Sequence, residues 1–208
     1  ANDIFILTGG PGTGKTTILN AVISILEQQG YHVGICAPTG RAAKRLSEVT
    51  GQNATTIHRM LGVQMQRGEQ QEFVHHEHNP LKYDAIIVDE MSMVDSLLFC
   101  SLLKAAKRGC KVILTGDGNQ LPSVSAGNVL KDLISSDCIP VVELKDIFRQ
   151  SAQSLIITNA HAIVHGELPE LEHTDNDFFF LGRPNLETTA KTIGDLCAVR
   201  LPKSYQYS

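Results

Sequence analysis

Four apolar residues, Ile4-Phe5-Ile6-Leu7, lead through Thr8 into Gly9-Gly10-Pro11-Gly12-Thr13-Gly14-Lys15-Thr16, and a helical pattern follows from Lys15 to Gln29, stopped by Gly30. The octapeptide satisfies G-x-x-x-x-G-K-[ST], and its setting between a strand and a helix restricts the fold more than any other feature. Glycines admit backbone angles closed to other residues, so successive N–H groups can face inward, while the helix beginning at Gly14-Lys15 adds the positive end of its dipole. Such a loop cradles phosphates. Lys15 is expected to reach the β- and γ-phosphates, Thr16 to offer its hydroxyl to a bridging Mg²⁺, and Thr17 to support an outer phosphate contact. The expected ligands are ATP and Mg²⁺, with Gly10, Pro11, Gly12, Thr13, Gly14, Lys15, Thr16 and Thr17 on the nucleotide.

The rest of the chain repeats the alternation of short apolar runs with longer amphipathic ones. Strands are predicted at Val33 to Ala37, Ala85 to Val88, Lys111 to Leu114 and Pro140 to Leu144, and helices at Gly40 to Val49, Thr56 to Leu61, Ser96 to Lys107 and Gly127 to Ile134. That pattern belongs to an α/β fold, a parallel sheet of about five strands sandwiched by helices. A polar insert, Gln64 to Lys82, interrupts it. Beyond Leu144 the texture changes to a helix from Gln153 to Val164, an apolar strand Phe178-Phe179-Phe180-Leu181, and a helix from Leu186 to Arg200. This tail is too small for a core of its own, so residues 1–144 read as one domain and 145–208 as the incomplete beginning of a second.

A second chemical feature sits at a strand end. Asp89-Glu90 follows Ala85-Ile86-Ile87-Val88, which puts two carboxylates at the carboxyl edge of the sheet, where α/β folds bind ligands. Asp89 is expected to hold Mg²⁺ through its water shell, and Glu90 to position and deprotonate the water that attacks the γ-phosphate. A small-molecule kinase is disfavoured, because a water-activating glutamate suits hydrolysis. The next strand delivers Gly116-Asp117-Gly118-Asn119-Gln120 to the same edge, where Gln120 could contact the γ-phosphate or the attacking water. On chemistry alone, an ordinary Gly-Asp turn explains that loop equally well.

Length and composition permit these readings. With 208 residues, 42% of them hydrophobic and 19% charged, the chain has the balance of a globular protein. No apolar run approaches the roughly 20 residues of a membrane span, and no signal-type start is present, so a cytoplasmic protein without a membrane partner is expected. Five cysteines, none in a C-x-x-C pair, argue against a disulfide framework or a zinc ribbon. The net charge of −4 gives no global footprint for nucleic acid, so strand binding would rest on local groups such as Arg41, Lys44, Arg45 and Arg59. His75-His76-Glu77-His78 reads as a solvated loop, and His161 and His165, though spaced i, i+4, lack the glutamate of an H-E-x-x-H site. No metal beyond magnesium is assigned.

Six ordered blocks then carry a resemblance: the phosphate loop, Ala37-Pro38-Thr39-Gly40-Arg41-Ala42-Ala43, Thr56-Ile57-His58-Arg59, Asp89-Glu90-Met91-Ser92-Met93-Val94-Asp95, Gly116-Asp117-x-x-Gln120-Leu121-Pro122-Ser123-Val124, and Ile147-Phe148-Arg149-Gln150. In this order they resemble the helicase motifs of RecD-like superfamily 1 DNA helicases, and the tail from Asn159-Ala160-His161 to Phe180 is similar to that family too. The resemblance implies RecA-like P-loop motor domains around an ATP site and 5′ to 3′ translocation on single-stranded DNA, with nuclease or helicase subunits as partners. It implies a catalytic set of Lys15, Glu90, Gln120 and Arg149, with Gln120 and Arg149 also touching the nucleotide. It places Pro38, Thr39, Gly40, Arg41, Thr56 and His58 on the DNA backbone, although Thr39 and Thr56 also read as helix caps. Asn119 stands where the family often has an acid, which removes an ionic role there. The remainder of the second motor domain and the upstream adenine contacts are expected outside this sequence. A P-loop ATPase that regulates partners without unwinding remains the alternative.

Overall fold

The computed structural model describes residues 3–64, 72–148, 153–172 and 176–205. Strand β1 (Ile4–Gly9) feeds helix α1 (Lys15–Gln28), and β2 (Val33–Ala37), α2 (Gly40–Thr50), β3 (Thr55–Thr56) and α3 (Ile57–Leu61) follow. A short antiparallel hairpin of β4 (Val63–Gln64) and β5 (Glu72–Phe73) precedes β6 (Ala85–Val88) and a 3₁₀ turn at Met91–Met93. Then come α4 (Ser96–Ala105), β7 (Lys111–Gly116), α5 (Val129–Ser135) and β8 (Val141–Leu144). The tail holds α6 (Leu155–Val164) and α7 (Leu186–Asp195), which runs through a π-helical stretch, Leu196–Arg200, into α8 (Leu201–Tyr205).

Six strands form one parallel sheet in the order β3-β2-β6-β7-β1-β8. Strand alternation explains why both faces are covered. Ile6, Cys36, Ile86, Val88, Val112 and Leu114 belong to one core cluster with Leu61 of α3, Leu98, Phe99 and Leu102 of α4 and Leu130 of α5. Ile35 and Ile87 belong to the other cluster, with Leu19 and Ile23 of α1 and Leu46 of α2. All four residues of β6 are fully buried, the signature of a central strand. Burying side chains such as Ile86 or Ile87 contributes about 1.5–3 kcal/mol each.

Three helices begin as their residues dictate. Thr39 Oγ1 accepts from Ala42 N at 3.2 Å, Thr56 Oγ1 from Arg59 N at 3.1 Å and Asp95 Oδ1 from Leu98 N at 2.9 Å. Each side chain supplies one of the partners that a first helical turn lacks.

The edge of the sheet opposite the phosphate loop is tied by Asp84, just before β6. Its Oδ1 accepts from Lys107 Nζ at 2.7 Å and its Oδ2 from His32 N at 2.8 Å. These bonds, with Lys107 first and His32 next, hold the carboxyl below the usual carboxylate range. A depressed folded-state value means stability present above the unfolded value near 4 and lost as pH falls through the folded one. Asp84→Asn is expected to lower Tm at pH 7 while leaving nucleotide affinity unchanged, and the Tm gap should close as the pH drops below about 4. A gap that persists in acid would show that the carboxylate charge is not responsible.

Two sequence expectations change. Phe178-Phe179-Phe180-Leu181 is not a strand: among the described residues it has no ladder partner, and Phe179 and Phe180 are 62% and 57% exposed. Apolar composition alone cannot make a strand where no neighbour offers its N–H and C=O groups. The polar insert, Gln64 to Lys82, opens with a short hairpin in which Gln64 pairs with Glu72 beside the Val63–Phe73 pair, and Phe73 packs on the core. Strands of two residues are too short to show a period. Thr55–Thr56 adds a sixth strand to the sheet for which the sequence predicts about five.

Candidate nucleotide-binding site

The phosphate loop leaves β1 and turns into α1 through Gly14, whose φ of 85° lies in the left-handed region that favours glycine. A Cβ there would also fall 2.1 Å from Phe148 Cε2. Inside the loop, Thr13 is buried and its hydroxyl donates to Gly10 O at 2.8 Å. Lys15 Nζ donates to Gly9 O at 2.6 Å and Gly10 O at 3.0 Å, which holds the ammonium over the loop. Gly10 to Thr17 line a cleft of about 760 Å³.

Asp89, Glu90 and Gln120 line the same cleft. Asp89 extends the sheet one residue past β6, its N–H donating to Cys36 O at 2.9 Å. From the next strand, the buried Thr115 donates its hydroxyl to Asp89 Oδ1, which fixes the carboxylate's direction. Glu90 has φ 56°, a left-handed conformation costly for a residue with a side chain, and such strain clusters where function demands it. Burial first, then the negative charge of Asp89, pushes its carboxyl above the usual carboxylate range, while Lys15 and Arg45 oppose the shift. The Glu90 turn leads directly to Ser92, which is buried and donates to Gln120 Oε1 at 3.2 Å. The loop carrying Gln120 is folded by Asp117, whose Oδ1 accepts from Asn119 N at 3.0 Å.

The predicted residues thus converge in part. Lys15, Thr16, Asp89, Glu90 and Gln120 meet at one cleft, although Gln120 lies on its exposed rim. Arg149 lies outside the described residues. Pro38, Thr39, Gly40, Arg41, Thr56 and His58 lie at the carboxyl ends of β2 and β3, on the same edge of the sheet but toward its other side. There Thr39 and Thr56 serve as helix caps, Arg41 is exposed, and the His58 ring lies 6.0 Å from that of Phe73. Thr115, Ser92 and Phe148 were not singled out from sequence. A hydroxyl closing the apolar run before Gly116-Asp117 was the available signal for Thr115; Ser92 and Phe148 depend on tertiary approach. Arg45, a candidate for strand binding from sequence, lines this cleft.

Residues 1–179 match the family described as AAA domain. The chain belongs to that family. This AAA domain is RecD-like: it is 47% identical over 166 residues to the ATP-dependent RecD2 DNA helicase of Deinococcus radiodurans, a match covering 80% of this chain and 22% of that protein. It is 40% identical over 152 residues to the RecBCD enzyme subunit RecD of Mycolicibacterium smegmatis, covering 62% of this chain and 27% of the relative. The chain therefore spans about a quarter of the length of these curated relatives. A Pif1 helicase solved in a study of unwinding at forked duplex DNA is 26% identical, with a TM-score of 0.55, covering 80% of this chain and 45% of that one. The fold is α/β, of the RecA-like P-loop kind. Among the described residues no helix is long and apolar enough to cross a membrane.

Proposed function

We propose that this AAA domain is the first motor domain of an ATP-driven DNA helicase, with residues 1–144 as its RecA-like unit and 145–208 opening a second. The observation that carries the reading is the convergence of Lys15, Asp89, Glu90 and Gln120 on one cleft, with Glu90 in a strained backbone conformation beside Asp89. Binding alone needs no such acid.

Lys15 and the loop N–H groups bind the phosphates of ATP. Thr16 and Asp89 offer the hard oxygen donors that Mg²⁺ selects, and Thr115 aims the second of them. The ion, when bound, offsets negative charge on the phosphates. Glu90 orients a water and accepts its proton as it attacks the γ-phosphate, and Gln120, linked to the Glu90 turn through Ser92, senses whether that phosphate is present. The motif that holds Arg149 supports a role for it in offsetting charge on the γ-phosphate. Pro38, Thr39, Gly40, Arg41, Thr56 and His58 form the track for a single strand, through phosphate contacts that position without reading sequence. Arg41 is the exposed cation of that set. Translocation runs 5′ to 3′, the setting is the cytoplasm and its DNA repair machinery, and nuclease or helicase subunits are the partners. The relatives' names support the helicase reading, and the second supports the subunit partners.

The test is ATP hydrolysis by this chain joined to a complete second motor domain, with and without single-stranded DNA. Stimulation by the strand is expected, and rates indifferent to DNA would instead favour an ATPase that regulates partners. The 208-residue chain alone is expected to bind nucleotide weakly and turn it over slowly, because catalysis at a domain junction needs both walls. Rapid, strand-stimulated turnover by the chain alone would contradict this.

Thr115 supplies a finer test. Thr115→Val keeps the shape and removes the donor to Asp89, so the Mg²⁺ concentration for half-maximal nucleotide binding should rise about tenfold, the usual scale for losing such an orienting partner. Thr115→Ser should restore it. An unchanged Mg²⁺ requirement in the valine variant would detach Thr115 from the metal site.

A further inference from the structure

Two neighbouring carbonyls of the phosphate loop are held from outside by residues beyond β8. His161 Nε2, on α6, lies 3.1 Å from Pro11 O, and a carbonyl can only accept, so this nitrogen carries the proton and donates. Phe148 N donates to Gly12 O at 3.1 Å. A trans peptide carries its C=O and N–H on opposite sides of the chain. Pulling the Pro11 and Gly12 carbonyls outward therefore turns the N–H groups of Gly12 and Thr13 the other way, toward the interior of the loop where phosphate oxygens bind.

The loop sequence is fitted to these contacts. Gly10 does not have a positive φ, so a left-handed backbone is not what calls for glycine there. What excludes a side chain is His161: a Cβ on Gly10 would lie 2.7 Å from Cε1 and 3.1 Å from Nε2 of that ring. Gly14 meets Phe148 in the same way. Helix α6 is anchored independently, because buried Asn159 both donates to Glu170 O at 2.9 Å and accepts from Glu170 N at 2.8 Å. A second cleft, of about 560 Å³, brings His161 together with Gly10, Pro11 and Gln120.

We propose that His161 is a positioning residue for nucleotide binding: with Phe148 it braces the phosphate loop from outside, pre-aims its N–H groups, and ties α6 to the loop. This rests on the nucleotide-binding reading of the same cleft, not on the DNA motor. The ring tie makes the position of α6 and the shape of the loop one mechanical unit.

The test is equilibrium titration of the 208-residue chain with ADP in the presence of Mg²⁺. His161→Leu, which keeps bulk but removes the donor, should raise the ADP Kd about fivefold at unchanged stoichiometry, the scale of one hydrogen bond. His161→Gln, whose amide can reach the same carbonyl, should recover most of the loss. Gly10→Ala should weaken binding about tenfold in the presence of His161 but by less than about twofold in a His161→Ala background, because overpacking disappears with the ring. Leucine binding as tightly as histidine, or an equal alanine penalty in both backgrounds, would overturn the brace. No ADP binding by the unsubstituted chain would overturn the nucleotide reading and the brace together.

Discussion

Glu90→Gln is expected to leave ATP affinity nearly intact and to lower turnover about 10²-fold or more, the scale for losing a general base. The two outcomes separate because Lys15 and the loop bind phosphate, whereas Glu90 acts on water. Glutamine keeps the size and a carbonyl oxygen but cannot accept the proton. The same substitution removes a charge that burial and Asp89 disfavour, so the variant should be at least as stable as the parent protein. A Tm scan beside single-turnover hydrolysis, on the chain joined to a complete second motor domain, checks both. Unchanged turnover would remove Glu90 from the mechanism, and a collapse of ATP affinity would assign it to binding.

Lys15→Ala should act on the earlier step, weakening ATP affinity about 10- to 100-fold through the loss of charge-assisted hydrogen bonds to phosphate. The ammonium donates to Gly9 O and Gly10 O, so alanine also removes two ties within the loop. Lys15→Gln, which offers a donor without charge, separates the effects: internal ties alone would be largely rescued, whereas a phosphate contact that depends on charge would not. Unchanged ATP affinity in the alanine variant, measured by direct titration, would contradict the assigned contact.

The parts of this site that were legible in sequence share one property: their chemistry is local. Gly9 to Thr16 shows its strand, turn and helix within a few residues, and Ala85 to Glu90 shows a buried strand that ends in acids. Thr39 and Thr56 read equally well as caps, and the structure uses both that way. Contacts across the fold were invisible. Thr115 is brought to Asp89 by parallel pairing of β6 with β7, Ser92 reaches Gln120 across two loops, and His161 reaches Pro11 over 150 positions of sequence. Gly10 is the instructive case. It looked like a glycine needed for backbone angle, yet its φ is not positive and a ring from α6 occupies the space. Phe178 to Leu181 misled in the opposite direction, because composition suggests a strand but cannot supply a neighbour to pair with.

The central claim is that the Gly10–Thr17 loop and the Asp89–Glu90 pair bind one Mg²⁺-nucleotide. Calorimetric titration of the 208-residue chain with ADP, with and without Mg²⁺, tests it most directly. The account predicts one ADP per chain, an affinity that rises with Mg²⁺, and loss of that Mg²⁺ dependence in Asp89→Asn. Binding that ignores both Mg²⁺ and Asp89, or no binding at all, would contradict it.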